Sequence, residues 1–411
     1  MNEPLGYKPN NYASLSKIIN DPVYAKQNHI IVKKMDHLFV LKYNKSKLTT
    51  ENVTTLGLFR SIIVDEFGNI LSFSPPKSID FDVFSQSNEY DSCYIQHFPE
   101  GTMINVFFDK HIDDWQISTR SSIGAKCNFN MDSNITYRYM FLDAMNHVGL
   151  EFEDLDKDCC YSFVLQHPKN RIVVPVTEPS IILANKYKIS NNEVFNNNCF
   201  NKSPKFSTLP MYTIDDKNFK DSVKYNGDNW RELSEHFFSN NLAYQFQGVV
   251  IWNNKGQRTK IRNPTYETIK HLKGNSPKLQ YHYYYLRQTG EVGDYLKYYP
   301  EHRSDFSNFR KEIHTYTNQL YQNYISCFIK KQKKLIDFPY QFKTHMFKIH
   351  ELYLNDLKLD GKFVNKSVVV NYVNTLPPPR LMHSVNHVKK QFDKDQRIVT
   401  SDLKVLVKPQ N

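Results

Sequence analysis

The pattern of apolar residues changes once along this chain of 411 residues, near residue 265. Before that point they come in short runs bounded by turn residues: HLFVLKY (37–43), RSIIVDEFGNILSF (60–73), CYIQHF, TMINVFF, DWQISTR, YSFVLQH, RIVVPV, SIILANKYKI and FQGVVIW. Runs of this length, rich in β-branched and aromatic residues, read as strands. The Gly-Asn inside SIIVDEFGNILSF predicts a hairpin. One helix is expected over Ile135–Val148, ending at Gly149, and the polar stretch 191–204 reads as a surface loop. After residue 265 the apolar and aromatic spacing becomes three to four, as in HYYYLRQTG and QFKTHMFKIHELYLNDL, which is the helical period. LPPPR (376–380) is expected to end the last helix. The fold class that follows is α+β, with an antiparallel-sheet domain over 1–265 and an all-α domain over 266–411, closed by a charged tail from about 385.

Charge divides at the same place. Residues 266–411 hold 24 lysines and arginines against 13 aspartates and glutamates, so they carry the whole formal net charge of +11. A one-sided excess of this kind fits a polyanion partner. Acidic lipid is the competing partner, but no basic amphipathic anchor stands out. The six cysteines lack C-x-x-C spacing, which points away from zinc and from a disulfide framework and toward a reducing compartment such as the cytosol. The start, MNEPLGYKPNNY, does not read as a signal peptide, and no run approaches the roughly 18 apolar residues of a membrane span.

The chemistry-bearing signal is a series of short segments. HFPEGTMI (97–104) breaks a strand with Pro-Glu-Gly and resumes it, as a turn at a pocket mouth would. Upstream lie RSII (60–63) and LSFSPPKSIDF (71–81); downstream lie STRSSI (118–123), FVLQHPKNRIV (163–173), QGVV (247–250) and KIR (260–262). In this order the segments resemble the T-even phage RNA ligase 1 family of covalent nucleotidyltransferases, and they are similar to RNA ligase-like proteins of large DNA viruses. The resemblance covers most of residues 30–265. It implies a nucleotidyltransferase domain of the ATP-grasp-like ligase type, ATP and Mg²⁺ as cofactors, a lysyl-adenylate, and joining of RNA ends. It also implies that the basic helical domain gives RNA specificity, and it admits a place in a viral factory or virion.

The departures from that family bear on its chemistry. Phe98 stands where the family has its nucleophilic lysine, while Val164 and Gln247 stand at two acidic positions. The cations remain: Arg60, Arg120, Arg171, Lys260 and Arg262, with Glu100, Asn170 and Gln247 beside them as nucleotide- or phosphate-binding candidates. Lys260 and Arg262 alternate on one strand and so share a face. Two cations on one face repel unless an anion sits between them, although charges also guard exposed sheet edges. Arg60 and Arg120 read equally as surface ion pairs, and Arg171 as a surface arginine after a turn. Lys42, Lys77 and His97 are the candidates for a relocated nucleophile. Against them stand a snorkelling lysine and a hydrogen-bonded core histidine. No metal-ligating set is read from the residues. In the C-terminal part, Lys330, Lys331, Lys333 and Lys334, with Tyr321, Tyr324 and Phe328 nearby, are the RNA-binding candidates, the alternative being a solvated helix face. Two functions stay open: an RNA ligase-like nucleotidyltransferase, or a degenerate one acting as an RNA- or nucleotide-binding subunit of a viral RNA-processing or transcription assembly.

Overall fold

The computed structural model describes residues 6–129, 134–196 and 206–387. The chain divides into two compact units, Met1–Lys273 and Gly274–Asn411. The boundary falls later than the expected residue 265. The helix Pro264–Lys273 buries Tyr266 and Ile269, and Lys273 Nζ donates to Arg171 O at 2.5 Å, which ties the helix to the first unit.

Strands in chain order are β1 (Gly6–Tyr7), β2 (Ile30–Met35), β3 (Leu38–Tyr43), β4 (Ile62–Val64), β5 (Ile70–Phe73), β6 (Tyr94–His97), β7 (Thr102–Asp109) and β8 (Asp114–Ser118). They continue with β9 (Cys159–Gln166), β10 (Ser180–Ser190), β11 (Glu193–Asn196), β12 (Ser207–Thr208), β13 (Tyr212–Thr213), β14 (Gly248–Trp252) and β15 (Arg258–Arg262). Among the described residues they form three sheets. One runs β1-β11-β10-β9-β7-β8 with β12 parallel to β10; the second is β2-β3-β4-β5; the third is β13-β6-β14-β15.

Local chemistry explains the elements. Between β4 and β5, Asp65 Oδ1 accepts from Phe67 N and Asn69 N, closing the expected hairpin. The helix Tyr137–Val148 begins where Thr136 caps Tyr139 N and ends at Gly149, whose φ is 70°. Its Met140, Phe141, Ala144 and Met145 pack on Phe163, Leu165, Ile181 and Leu183 of the first sheet. The other face of that sheet joins the second through Phe107, Cys160 and Tyr187, packed with Val40, Leu41, Ile62 and Phe73. Each such buried apolar side chain contributes roughly 1.5–3 kcal/mol. The third sheet turns Ile95, Val249, Ile251 and Ile261 onto Phe84, Phe219, Leu233 and Phe237 of its helices.

Three local expectations change. RIVVPV is not a strand; its Val173 and Val174 amides bond to Glu100 instead of a ladder. The expected loop 191–204 opens with β11, paired to β10, and residues 197–205 lie outside the described set. LPPPR both stops and starts helices: Lys366–Thr375 ends before it, and Pro378–Val385 begins inside it, with proline in the first turn, where no amide is needed.

In the second unit the helices are Leu279–Thr289, Val292–Tyr298, Arg303–Tyr324, Tyr340–Leu352, Lys366–Thr375 and Pro378–Val385. Arg303–Tyr324 packs on Tyr340–Leu352 and Lys366–Thr375. A buried histidine pins the contact: His345 Nδ1 lies 2.8 Å from Tyr372 Oη and its Nε2 3.0 Å from Ser384 Oγ. The expected charged tail lies outside the described residues from 388 onward.

Candidate functional site

One face of the third sheet carries Ile261 and Thr259 toward helices, so Arg258, Lys260 and Arg262 must share the other. Arg258 is 5% exposed, an unusual burial for an arginine. It is held by the Ser74–Ile79 segment: its Nε donates to Pro76 O at 2.7 Å and its Nη2 to Pro75 O at 3.3 Å. Arg60 Nη1 donates to the same Pro75 carbonyl at 3.3 Å. Consecutive prolines have carbonyls but no amide hydrogens, so Pro75 and Pro76 present acceptors alone. The strap is anchored at both ends, by Lys77 N to Gly57 O at 3.0 Å and by Ile79 N to Arg258 O at 2.8 Å.

Four further cations gather there. Lys77, half-buried, is drawn below the ordinary lysine range by burial first and then by Arg60, Arg258, Arg262 and Arg120. Lys260 falls well below it, by burial first and then by Arg258, Arg60, Arg262 and Lys77. Arg120 Nε donates to Arg60 O at 3.2 Å, and its guanidinium lies over the Tyr43 ring at 5.2 Å. Arg262, at the exposed end of the row, pairs with Glu267 at 3.3 Å. Among the described residues it is the one member of the six with an ion pair. Burial and then the Arg60 guanidinium act against the charge on Arg258. Arginine nonetheless keeps its proton in proteins, so its cost stays in the folded state. Like charges about 6 Å apart repel by roughly 3 kcal/mol at an effective dielectric of about 20. The six cations therefore form a site whose electrostatic energy falls when a polyanion enters.

The turn that carries Phe98 borders this site. Phe98 N donates to Gly248 O at 2.9 Å, and Lys260 Nζ stands 4.2 Å from the Phe98 ring centre. Gly248 has φ 139°, and a Cβ there would meet Ile261 O at 2.1 Å, so glycine is required for β14 to lie this close to β15. Gly101 is held likewise, with φ 152° and Leu165 O and Val164 Cγ1 each 2.5 Å from a Cβ.

The other expected residues are placed elsewhere. Glu100 is buried, and its carboxylate accepts from Val173 N at 3.0 Å and Val174 N at 3.1 Å; it latches the 171–174 loop. Arg171 Nε and Nη2 turn back onto Val173 O at 3.1 and 3.0 Å, and Asn170 Nδ2 donates to Thr102 Oγ1 at 2.9 Å. Gln247 is buried, and its Oε1 has no hydrogen-bond partner among the described residues. His97 points away from the cations, its ring against Phe219 and Phe246; β6 alternation puts it on the helix-packed face. Lys42 lies toward Arg120, donating to Ser121 Oγ at 2.9 Å, and is lowered by burial first, then Arg120 and Lys33.

In the second unit, Lys330, Lys331, Lys333 and Lys334 are exposed, but they follow the π-helical turn Ile325–Ile329 rather than lining a helix. Tyr324 is buried with its hydroxyl 3.2 Å from His350 Nδ1, and Phe328 stacks on His350 at 3.9 Å. The Tyr324 ring is therefore closed to a base, while Phe328 keeps partial exposure. Arg258 was missed from the sequence, although RTKIR carries three cations at alternate positions.

The residues fit a polyphosphate. Glu100 is taken up by two amides, and no group of three His, Cys, Asp or Glu side chains suited to a metal occurs among the described residues. No described helix is long and apolar enough to cross a membrane.

No protein-family profile matches the chain. The immediate-early protein ICP-46 homolog of Invertebrate iridescent virus 3 is 21% identical over 289 residues, which cover 68% of this chain. The chain spans 58% of that relative's length. Similar solved structures are ATP-dependent ligases of RNA and DNA. A putative ATP-dependent DNA ligase from Aquifex aeolicus matches with 10% identity and a TM-score of 0.35, over 92% of this chain and 80% of that one. An archaeal ATP-dependent RNA ligase matches in two forms, with 11% and 12% identity and TM-scores of 0.38 and 0.37, each over 71% of this chain and 70% of the ligase. At these scores the side chains themselves carry the functional reading.

Proposed function

We propose that the first unit is a ligase-like nucleotidyltransferase module that takes the triphosphate of a nucleotide, ATP first among candidates, onto the cluster of Arg60, Lys77, Arg120, Arg258, Lys260 and Arg262. The observation that carries this is the buried Arg258 beside Arg60 and Lys260, three cations with no ion pair among the described residues. Such a cluster is costly when empty and is offset by phosphate oxygens, which accept charge-assisted hydrogen bonds. The finer reading, an RNA ligase-like protein of the T-even phage RNA ligase 1 type, rests on the ordered segments around these cations. Its RNA would be held by the basic helical part of the chain through phosphates and shape. Phe98 means that any nucleotidyl transfer does not pass through an amine at position 98.

Equilibrium dialysis with ATP, with tripolyphosphate as competitor, tests the reading. Binding that tripolyphosphate displaces, and that Arg60→Ala weakens by at least about tenfold, is the expected result. Failure of both anions to bind at millimolar concentration would overturn it.

A further inference from the structure

We propose that Lys260 is the nucleophile of a nucleotidyl-transfer step in this protein, its amine working from beside Phe98. The inference rests on the nucleotide-binding reading and goes beyond it by naming the attacking atom.

Three lysines stand in or near the cation cluster, and their hydrogen bonds separate them. Lys42 Nζ donates to Ser121 Oγ at 2.9 Å and Lys77 Nζ donates to Ser78 O at 3.1 Å. Each of these amines is engaged by an oxygen acceptor and must give up that bond to attack. Lys260 differs. Among the described residues its Nζ has no hydrogen-bond acceptor, and its close neighbour is the Phe98 ring face at 4.2 Å. A cation over a ring gains only about 0.5–2 kcal/mol. Burial and the facing charges of Arg258, Arg60, Arg262 and Lys77 oppose that gain and disfavour the charged form of the amine. His97, the other candidate, is on the opposite face of the sheet.

Position adds to chemistry. Arg258 and Arg262 stand two residues either side of Lys260 on one strand, so both guanidinium groups flank the amine on the same face. A triphosphate neutralised by those groups would bring its phosphorus atoms toward the central residue, and the transfer requires the α-phosphorus to be the one that Lys260 meets. The neutral Nζ lone pair would form an N–P bond to the α-phosphorus. The bond from that phosphorus to the oxygen bridging to the β-phosphate would break, and pyrophosphate would leave with the electron pair. The surplus proton on nitrogen passes to pyrophosphate or solvent, so no separate base is required first. Phe98 excludes water from one side of the amine and lowers the local dielectric, which favours the neutral form.

The test uses the full-length protein, ATP labelled at the α-phosphate, and magnesium ions. A label that survives denaturation, resists base and is released by acid is expected, with peptide mass spectrometry placing one nucleoside monophosphate on Lys260. Lys260→Arg should lose the label by at least about 100-fold, because a guanidinium stays protonated and has no lone pair for attack. Should that variant not fold, the site found in the unmodified protein decides. A label on Lys77 or Lys42 would overturn the assignment. ATP binding with no label would overturn it while leaving the binding reading intact; absence of ATP binding would remove both.

Discussion

The two units handle positive charge in opposite ways. In the first, Arg258 is buried against proline carbonyls beside Arg60 and Lys260. In the second, Lys330, Lys331, Lys333 and Lys334 are exposed after a helical turn. The second unit carries the larger formal charge, yet its lysines cost little to keep, because water and salt screen them. The buried set lowers stability for as long as no anion is present. On the proposed reading, net charge is a poor guide to where a specific anion binds. A small, unpaired, desolvated cluster is the better one.

That comparison can be broken in several ways. The largest effect is expected from Arg258→Met, which removes the buried member and should weaken ATP binding by about 100-fold or more. Calorimetry would show it, and affinity within a factor of about three of the original would leave the cluster without its central role.

Next is Lys260→Met. It should make the empty protein more stable by about 1 kcal/mol, since a desolvated amine facing cations is replaced by an apolar chain, and it should reduce the stabilisation that ATP confers. A folded-state value drawn below 10.5 means that the unfolded chain binds the proton at this lysine more tightly than the folded chain does. Stability of the empty protein therefore rises with pH through the range below 10.5, and the variant should lose that part of the slope. Denaturant titrations at several pH values measure both. A destabilised empty variant would contradict the reading of Lys260.

A third, smaller effect concerns the helical unit. Burial, and then Arg380, Lys348 and His383, push His345 down from 6.5 to about 4. The unfolded chain then binds the proton first, so stability is full above pH 6.5 and is lost as pH falls toward 4. Thermal unfolding across that window should show the loss, and His345→Gln should flatten it. An unchanged slope in the variant would locate the titration elsewhere.

The smallest effect belongs to the exposed lysines. Replacing Lys330, Lys331, Lys333 and Lys334 by glutamine should lower single-stranded RNA affinity by about tenfold at low salt and leave it unchanged at high salt, with no shift in unfolding temperature. RNA binding as tight as before would make this corner a solvated surface only.

Much of the architecture was legible from pattern. The hairpin around Gly68-Asn69, the helix stopped by Gly149 and the helical periodicity after residue 265 rest on contacts a few residues apart, which local spacing encodes. The candidate site was legible in part. Alternation correctly put Lys260 and Arg262 on one face, and it would have added Arg258. Glu100 was legible as a turn acid but not as a latch, because its partners lie 73 and 74 residues away.

By itself, then, the sequence determined which residues share a strand or helix face, where the chain breaks and bends, and that position 98 has no amine. Those follow from the two- and 3.6-residue periods and from side-chain identity. The tertiary structure decided which face is buried and what it meets. Arg258 became a site residue because the Pro75-Pro76 carbonyls, 182 to 183 residues away in sequence, close over it, and Lys260 became the distinctive lysine because Phe98 and other cations surround it. Desolvation and charge proximity depend on distances in space, and spacing along a chain does not contain them.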